Sequence, residues 1–258
     1  AETWSGEVSG RVSRTYDSNA WVVSETVDGS PAVAFAYDDD GLPTQAGALT
    51  ITRNAATGLP TATVLGGTAD SRTYNAFGEL VSYNASYAGQ SLYSFTLKRD
   101  PGGRISGKTE TIAGTTTNWA YGYDAVGRLR SVLLNGGNVA SYTYDGNSNR
   151  LTAAGPAGTV SATHDAQDRL LTYGTASFGY SANGELQSRT AGTDVTSYGY
   201  DAFGNLRTVQ LPGGTRVDYR VDPENRRIGK FVNGVRVSGY LYDGALLVAE
   251  LDDNNAIM

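Results

Sequence analysis

The one histidine of the chain, His164, stands directly before Asp165. It is the only side chain whose ordinary pKa lets it exchange a proton near neutral pH. A serine-histidine-aspartate relay would therefore have to pass through it. Carboxylates are more plentiful. Asp38, Asp124, Asp145, Asp201 and Asp243, together with Glu79 and Glu185, could in principle supply the two carboxyl groups of a glycoside hydrolase. Asp38-Asp39-Asp40-Gly41 gathers oxygens of the kind that Ca²⁺ prefers, and Asp252-Asp253-Asn254-Asn255 does so more weakly.

The pattern around these residues argues against each chemistry. The aspartates recur at one place in a repeat, which explains them as turn residues, and His164 with Asp165 occupies two columns of the same repeat. The acidic stretches lack the twelve-residue calcium loop ending in Glu, and the Gly-rich array of calcium β-rolls is missing too. There is no cysteine to supply a thiolate. Neither a phosphate loop nor a dinucleotide fingerprint occurs. The expectation is no catalytic residue, no cofactor and no metal ion. Glu79 and Glu185 follow turn glycines, where exposed polar residues are ordinary. Asn84-Ala85-Ser86 fits the short N-glycosylation pattern, which also arises by chance.

The elements that carry these residues are copies of one unit. Tyr121-Gly-Tyr123-Asp124-Ala-Val-Gly127-Arg-Leu129 is repeated as Tyr198-Gly-Tyr200-Asp201-Ala-Phe-Gly204-Asn-Leu206. Shorter matches are Tyr74-Asn-Ala-Phe-Gly78-Glu-Leu80, Tyr180-Ser-Ala-Asn-Gly184-Glu-Leu186, Tyr37-Asp38-Asp-Asp-Gly41, Tyr144-Asp145 with Leu151, and Tyr242-Asp243. The tyrosine column runs through positions 16, 37, 53, 74, 99, 123, 144, 164, 180, 200, 221 and 242, which is 226 residues in 11 steps, about 20.5 per step. Arg53, Arg99, His164 and Val221 hold the column without a tyrosine.

Each copy reads as a hairpin. Alternation such as Tyr142-Thr-Tyr144 puts rings on one face of a strand. Asp-x-x-Gly suits a type I turn, with Gly free to take positive φ and close the hairpin through a bulge. A return strand follows, such as Leu129–Leu134. The far end turns at Asn135-Gly136, Pro212-Gly213-Gly214 or Asn233-Gly234. The fold class is all-β, an antiparallel meander of tandem hairpins, with no helix beyond about two turns inside residues 120–245.

The whole chain, 1–258, reads as one array: 1–70 divergent, 71–251 clear, and 252–258 the start of a truncated downstream region. Gly66-Gly67-Thr-Ala-Asp70 could be a longer loop. A first residue other than methionine suggests processing or excision. One hairpin is marginal alone, so copies must stabilise each other.

Composition sets outer bounds. Net charge is −6, which speaks against a nucleic-acid surface. No window is apolar enough for a membrane span, and Ala1–Gly10 lacks the pattern of a signal peptide. Tyrosine outnumbers the other aromatics, 17 against 6 Phe and 3 Trp, as suits half-buried strand positions. Exposed rings of this kind could also stack on sugars, although their strand period favours packing.

The Tyr-Asp-x-x-Gly-x-Leu unit resembles the YD repeats of Rhs proteins, Tc-toxin C components, wall-associated bacterial toxins and teneurins, from about Tyr16 to Leu251. Asp222-Pro-Glu-Asn-Arg-Arg-Ile-Gly-Lys230, Val232-Asn-Gly234, Tyr240-Leu-Tyr-Asp-Gly244 and Leu247–Asp252 are similar to the last repeats of a bacterial Rhs core. The resemblance implies a strip of hairpins curled into part of a spiralling shell, exported or at the cell surface, enclosing a C-terminal toxin. The partners it implies are the rest of the polypeptide or that cargo; unpaired edge strands of an unclosed meander would add self-association. Family members carry an Asp-Pro-x-Gly-Arg segment linked to self-cleavage. Asp100-Pro-Gly-Gly-Arg104 is similar to it but falls in a repeat turn. A surface adhesin or a filament-forming module is the alternative.

Overall fold

The computed structural model describes all residues from Ala1 to Met258. It holds 25 strands, all antiparallel where they pair, and its only helical element is the three-residue turn Pro212–Gly214. The all-β meander expected from the repeat is what forms. The chain divides into two compact units, Val33–Ser161 and a second made of Ala1–Ala32 with Ala162–Met258. It passes from the first to the second within the strand Gly158–His164.

The twelve wide turns share one construction. In Asp124–Gly127 the Gly127 N–H donates to the Asp124 carbonyl at 3.0 Å, and Gly127 takes φ 90°. The Asp124 Oδ1 accepts from the N–H groups of Val126 and Arg128 at 3.1 and 2.9 Å. A side chain thus satisfies donors that a turn would leave free. The glycine site is left-handed even where no glycine stands, with φ of 62° at Ala20, 73° at Ser148 and 62° at Asp168. Narrow turns close the other ends, as at Asn135-Gly136 with φ 49° and 84°. That is the twist-matched two-residue hairpin.

A bulge follows each wide turn that joins two strands. Tyr123 pairs with Leu129 while Gly122 pairs with Ser131, so Arg130 is passed over. Tyr200 and Leu206 repeat this around Arg207. Each bulge adds right-handed twist to its hairpin.

In Val33–Ser161 every strand from Val33–Tyr37 onward pairs with its sequence neighbours, and its first and last strands do not pair with each other. The two faces differ. One bears the tyrosine column and the packed rings Tyr83, Tyr93 and Phe95, with Tyr83 and Phe95 stacked at 5.6 Å. The other bears small hydroxyls that bond across strands, such as Thr73 with Ser82 and Thr143 with Thr152, both at 2.6 Å. Where Gly122 replaces a threonine in this column, a Cβ would lie 2.4 Å from the Ser131 hydroxyl.

The second unit holds the one dry core. Its N-terminal strands Glu2–Trp4, Gly10–Tyr16 and Val22–Val27 pair among themselves. Val8 and Val12 from this segment pack with Leu241, Ala249 and Leu251, the two leucines wholly buried. Gly229 and Gly239 face each other across paired strands. The Val8 methyls lie over both, where a Cβ would approach them to 3.3 and 3.2 Å. Leu241 stands in the column that holds Thr143 or Gly199 elsewhere, so the hydroxyl face turns apolar where the N-terminal strap covers it. Arg236, nearly buried, ties the two together by donating to the Glu7, Asp252 and Asp253 carbonyls and to the Asn255 Oδ1. Ion pairs Glu7–Arg220 at 2.8 Å and Arg14–Asp243 add to it.

Three local expectations are corrected. Gly66-Gly67 is a tight hairpin with Leu65 paired to Thr68, not a longer loop. Tyr144 pairs with Arg150, so Leu151 is the bulged residue and not the partner of the column. Asp243 does not cap a wide turn. It lies in the strand Val235–Asp243, paired with Leu246 across the two-residue turn Gly244-Ala245, where Gly244 takes φ 54°. The wide turn appears instead at Asp252, whose Oδ1 accepts from Asn254 and Ala256 while Leu251 bridges to Ile257. Residues 252–258 thus form one more turn of the repeat kind.

Gly204 has no atom within 4 Å of an added Cβ, so its substitution tests conformation alone. Gly204→Val is expected to cost about 1–2 kcal/mol or more, and Thr208→Val little, in urea denaturation. Leu241→Ala should cost about 2–5 kcal/mol, with the loss read as earlier unfolding of the strap-covered repeats by hydrogen exchange.

Candidate functional site

The side chains that could do chemistry are spent on joining one hairpin to the next. Tyrosine hydroxyls make the first link. Tyr144 donates to the Leu129 carbonyl at 2.7 Å, where Leu129 is the residue paired with the tyrosine of the preceding copy. Tyr74 to Pro60, Tyr123 to Ile105, Tyr180 to Leu170 and Tyr242 to Arg227 repeat it at 2.7–2.9 Å. Arginine in the column reaches the same carbonyl: Arg53 donates to Pro43 at 2.9 Å and Arg99 to Leu80 at 3.3 Å.

The second link starts at the turn aspartate. Its Oδ2 accepts from the arginine four residues on, with Asp124–Arg128 at 2.6 Å and Asp165–Arg169 and Asp222–Arg226 at 2.7 Å. The guanidinium then lies over the tyrosine of the following copy: Arg104 over Tyr123 and Arg128 over Tyr144 at 4.7 Å, Arg169 over Tyr180 at 5.2 Å, Arg226 over Tyr242 at 5.3 Å. Such cation–π contacts strengthen as they are desolvated. Arg128 further donates to the Asp145 carbonyl at 2.9 Å. Where the turn opens with Asn75 or Ser181 instead of Asp, the fourth residue is Glu79 or Glu185, and the pair reverses its polarity while keeping its bond. These glutamates are partners of the turn, more than ordinary surface residues.

This arginine column was missed in reading the sequence. Its signal is the residue after the turn glycine position, Arg104, Arg128, Arg169 and Arg226, exchanged for Asn149 or Asn205 or, opposite a neutral turn residue, for glutamate.

The remaining candidates are placed as follows. Asp38, Asp145 and Asp201 each cap a wide turn, with Oδ1 bonded to two N–H groups. Gly41, Gly78, Gly184 and Gly204 take φ between 76° and 95°. Tyr37, Tyr74, Tyr180 and Tyr200 pair with Pro43, Leu80, Leu186 and Leu206. His164 faces Leu170, its Nδ1 buried and without a hydrogen bond. Asp165 directs Oδ1 to Gln167 and Arg169 N–H and Oδ2 to the Arg169 guanidinium, not to the imidazole. No three acidic or imidazole side chains converge as a metal site would need. Asp100 of Asp100-Pro-Gly-Gly-Arg104 caps its turn and pairs with Arg104. The rings of Tyr83, Tyr93 and Phe95 lie under Arg72 and Lys108.

Five turn carboxylates are more acidic than usual. Asp100 is held below its ordinary range first by the Arg104 side chain, Asp165 by the Arg169 N–H and Asp252 by the Ala256 N–H. For Asp124 and Asp201 burial is the largest influence and pushes upward, but the bonds from Arg128 and from Asn205 with Phe203 together outweigh it.

Hairpins of this kind, each stapled to the last through tyrosine and aspartate, define a YD-repeat wall protein. The model of the teneurin YD-shell family matches residues 3–249, and the chain belongs to that family. Among solved structures, that of TcdB2-TccC3-Cdc42 superposes with a TM-score of 0.77 at 16% identity, over 96% of this chain and 15% of the other. The Photorhabdus luminescens Tc holotoxin pore carrying TccC3-D651A gives 0.72 at 15% identity, over 93% and 15%. The likeness is one of fold, and the chain spans about 15% of the length of either. Comparison with curated protein sequences gives no match. No helix is long and apolar enough to cross a membrane.

Because the folded-state pKa of these aspartates lies below the unfolded value of about 3.9, their stabilisation is complete above that value and is lost as pH falls through the folded pKa. Acid titration by circular dichroism should show unfolding below that pH, and Asp124→Asn should weaken the acid dependence. Tyr144→Phe, which deletes only the hydroxyl bond, is expected to cost about 0.5–1.5 kcal/mol in urea.

Proposed function

We propose that the chain is a wall segment of an exported container, a structural YD shell that surrounds a C-terminal effector polypeptide and keeps it inactive until release. The observation that carries this reading is the use made of the reactive side chains. The turn carboxylates hold their own turns and arginines, and those arginines with most of the tyrosine column reach neighbouring copies, as a wall requires and an active site does not. The fold likeness to chains of Tc toxin assemblies supports the same role, and export follows from it. A closed wall would act by confinement, with no residue of this chain doing covalent chemistry. The cargo is read as a polypeptide because the resemblance in sequence is to proteins in which a toxin follows the repeats.

Limited proteolysis of the full-length protein tests this. Any polypeptide downstream of the array should survive inside the intact protein and be cut quickly when expressed alone. Equal rates of cutting would sink the container and favour an adhesin or filament.

A further inference from the structure

We infer that two grooves between neighbouring wide turns, one at Phe77 and one at Phe203, each hold a neutral pyranose ring of a glycan. Of the twelve wide turns, only those opening at Asn75 and Asp201 carry a phenylalanine at the third position. Only two carry a proline at the second position, Pro101 and Pro223, and each belongs to the turn directly after one of the phenylalanines. The pairing therefore occurs once in Val33–Ser161 and once in the other unit. Phe77 and Pro101 share the walls of a groove of about 530 Å³, and Phe203 and Pro223 those of a groove of about 310 Å³. Both volumes suit a small ligand.

Packing within the chain does not account for the two rings, since Phe77 is 89% and Phe203 85% exposed. Other turns put Asn147, Gln167 or Asn183 at this position, side chains at home in water. The backbone beneath each ring is fixed. The Phe77 N–H donates to the Asn75 Oδ1 at 2.9 Å, and the Phe203 N–H to the Asp201 Oδ1 at 3.0 Å. A ring presented from a fixed backbone loses little freedom on binding.

The polar walls narrow the ligand. Glu79 pairs with Arg99 at 3.4 Å, Asp100 with Arg104 at 2.7 Å, Asp201 with Arg207 at 3.3 Å and Asp222 with Arg226 at 2.7 Å. With these charges balanced, neither groove holds the excess that would draw an ion. What remains open is hydrogen bonding. Asn75 donates to the Glu79 Oε2, and no hydrogen bond reaches its Oε1. In the other groove Arg207 donates through Nε and Nη1, and Asn225 accepts through Oδ1, which leaves the Arg207 Nη2 and Asn225 Nδ2 donors open. A hydroxyl both donates and accepts, so it serves either groove. The phenyl face is the negative part of the ring quadrupole and favours the C–H face of a sugar. A neutral ring with an apolar face and a rim of hydroxyls meets each of these demands. The inference does not rest on the container reading, since a wall piece and an adhesin would present the same turns. Failure of either leaves the test of the other intact.

Saturation-transfer NMR of the 258-residue chain with methyl β-glucoside, methyl β-galactoside and cellobiose tests it. Transfer to the ring protons of at least one of these sugars is expected. It should weaken in Phe77→Ala and in Phe203→Ala and vanish when the two are combined, with an unchanged circular dichroism spectrum. Phe203→Trp, which keeps an aromatic face, should retain it. Val126→Ala, at an exposed turn with no proline in the turn that follows, should leave it unchanged. No transfer from any of the three sugars, or transfer that survives the double substitution, would overturn the proposal.

Discussion

Neighbouring hairpins hold each other through a tyrosine hydroxyl on a carbonyl of the copy before, and much of the repeat follows from what that bond requires. The hydroxyl must arrive at the end of a strand, so the tyrosine stands next to the turn. The carbonyl must point toward it, and the bulge after each turn places it there. The turn must hold its shape, so an aspartate or its substitute caps it from within. The arginine closes the circuit, bonded to its own aspartate and laid over the next tyrosine. Single hairpins lack the buried area to persist alone. Stability here is a sum of nearest-neighbour terms. This accounts for Arg53 and Arg99, which look like lapses in the tyrosine column: the column selects a donor that reaches one carbonyl, and a guanidinium does so as well as a phenol.

The two faces of the hairpins obey a second constraint, that apolar side chains follow cover. Small hydroxyls line one face because β-branched Thr and small Ser suit a strand and stay content in water. Beneath the N-terminal strap the same face carries Gly229, Gly239, Leu241, Ala249 and Leu251. A pair of opposed glycines there makes a hollow the size of the Val8 side chain.

Much of this was legible in the sequence because it is local. Turn, strand and return strand lie within some ten residues of each other, and Asp-x-x-Gly with flanking alternation specifies them by periodicity alone. What escaped reading was of two kinds. The arginine column hides because its residue type varies: Arg, Asn or Glu stands there in most copies, and Trp21, Leu42 or Ala256 in others. Asp243 was misplaced because the glycine after it takes positive φ and closes a two-residue turn, and Leu151 because Arg150 holds the paired position after a turn of ordinary length. The strap could not be read at all. Val8 and Val12 are ordinary valines in a polar stretch, and nothing near them announces a partner more than two hundred residues away.

That separation sets an order of events during synthesis. The segment holding Trp4, Val8 and Val12 leaves the ribosome first, whereas the surface that receives it is completed only when the strand Leu246–Leu251 has emerged. At translation rates of about 5–20 residues per second, the interval is on the order of ten to forty seconds. Throughout it, Val33–Ser161 has every partner it needs in the strand just made, and it can fold as it appears. The valines wait exposed. Premature collapse of the N-terminal segment onto the wrong hairpin, or onto another nascent chain, is thus the characteristic way for this protein to misfold.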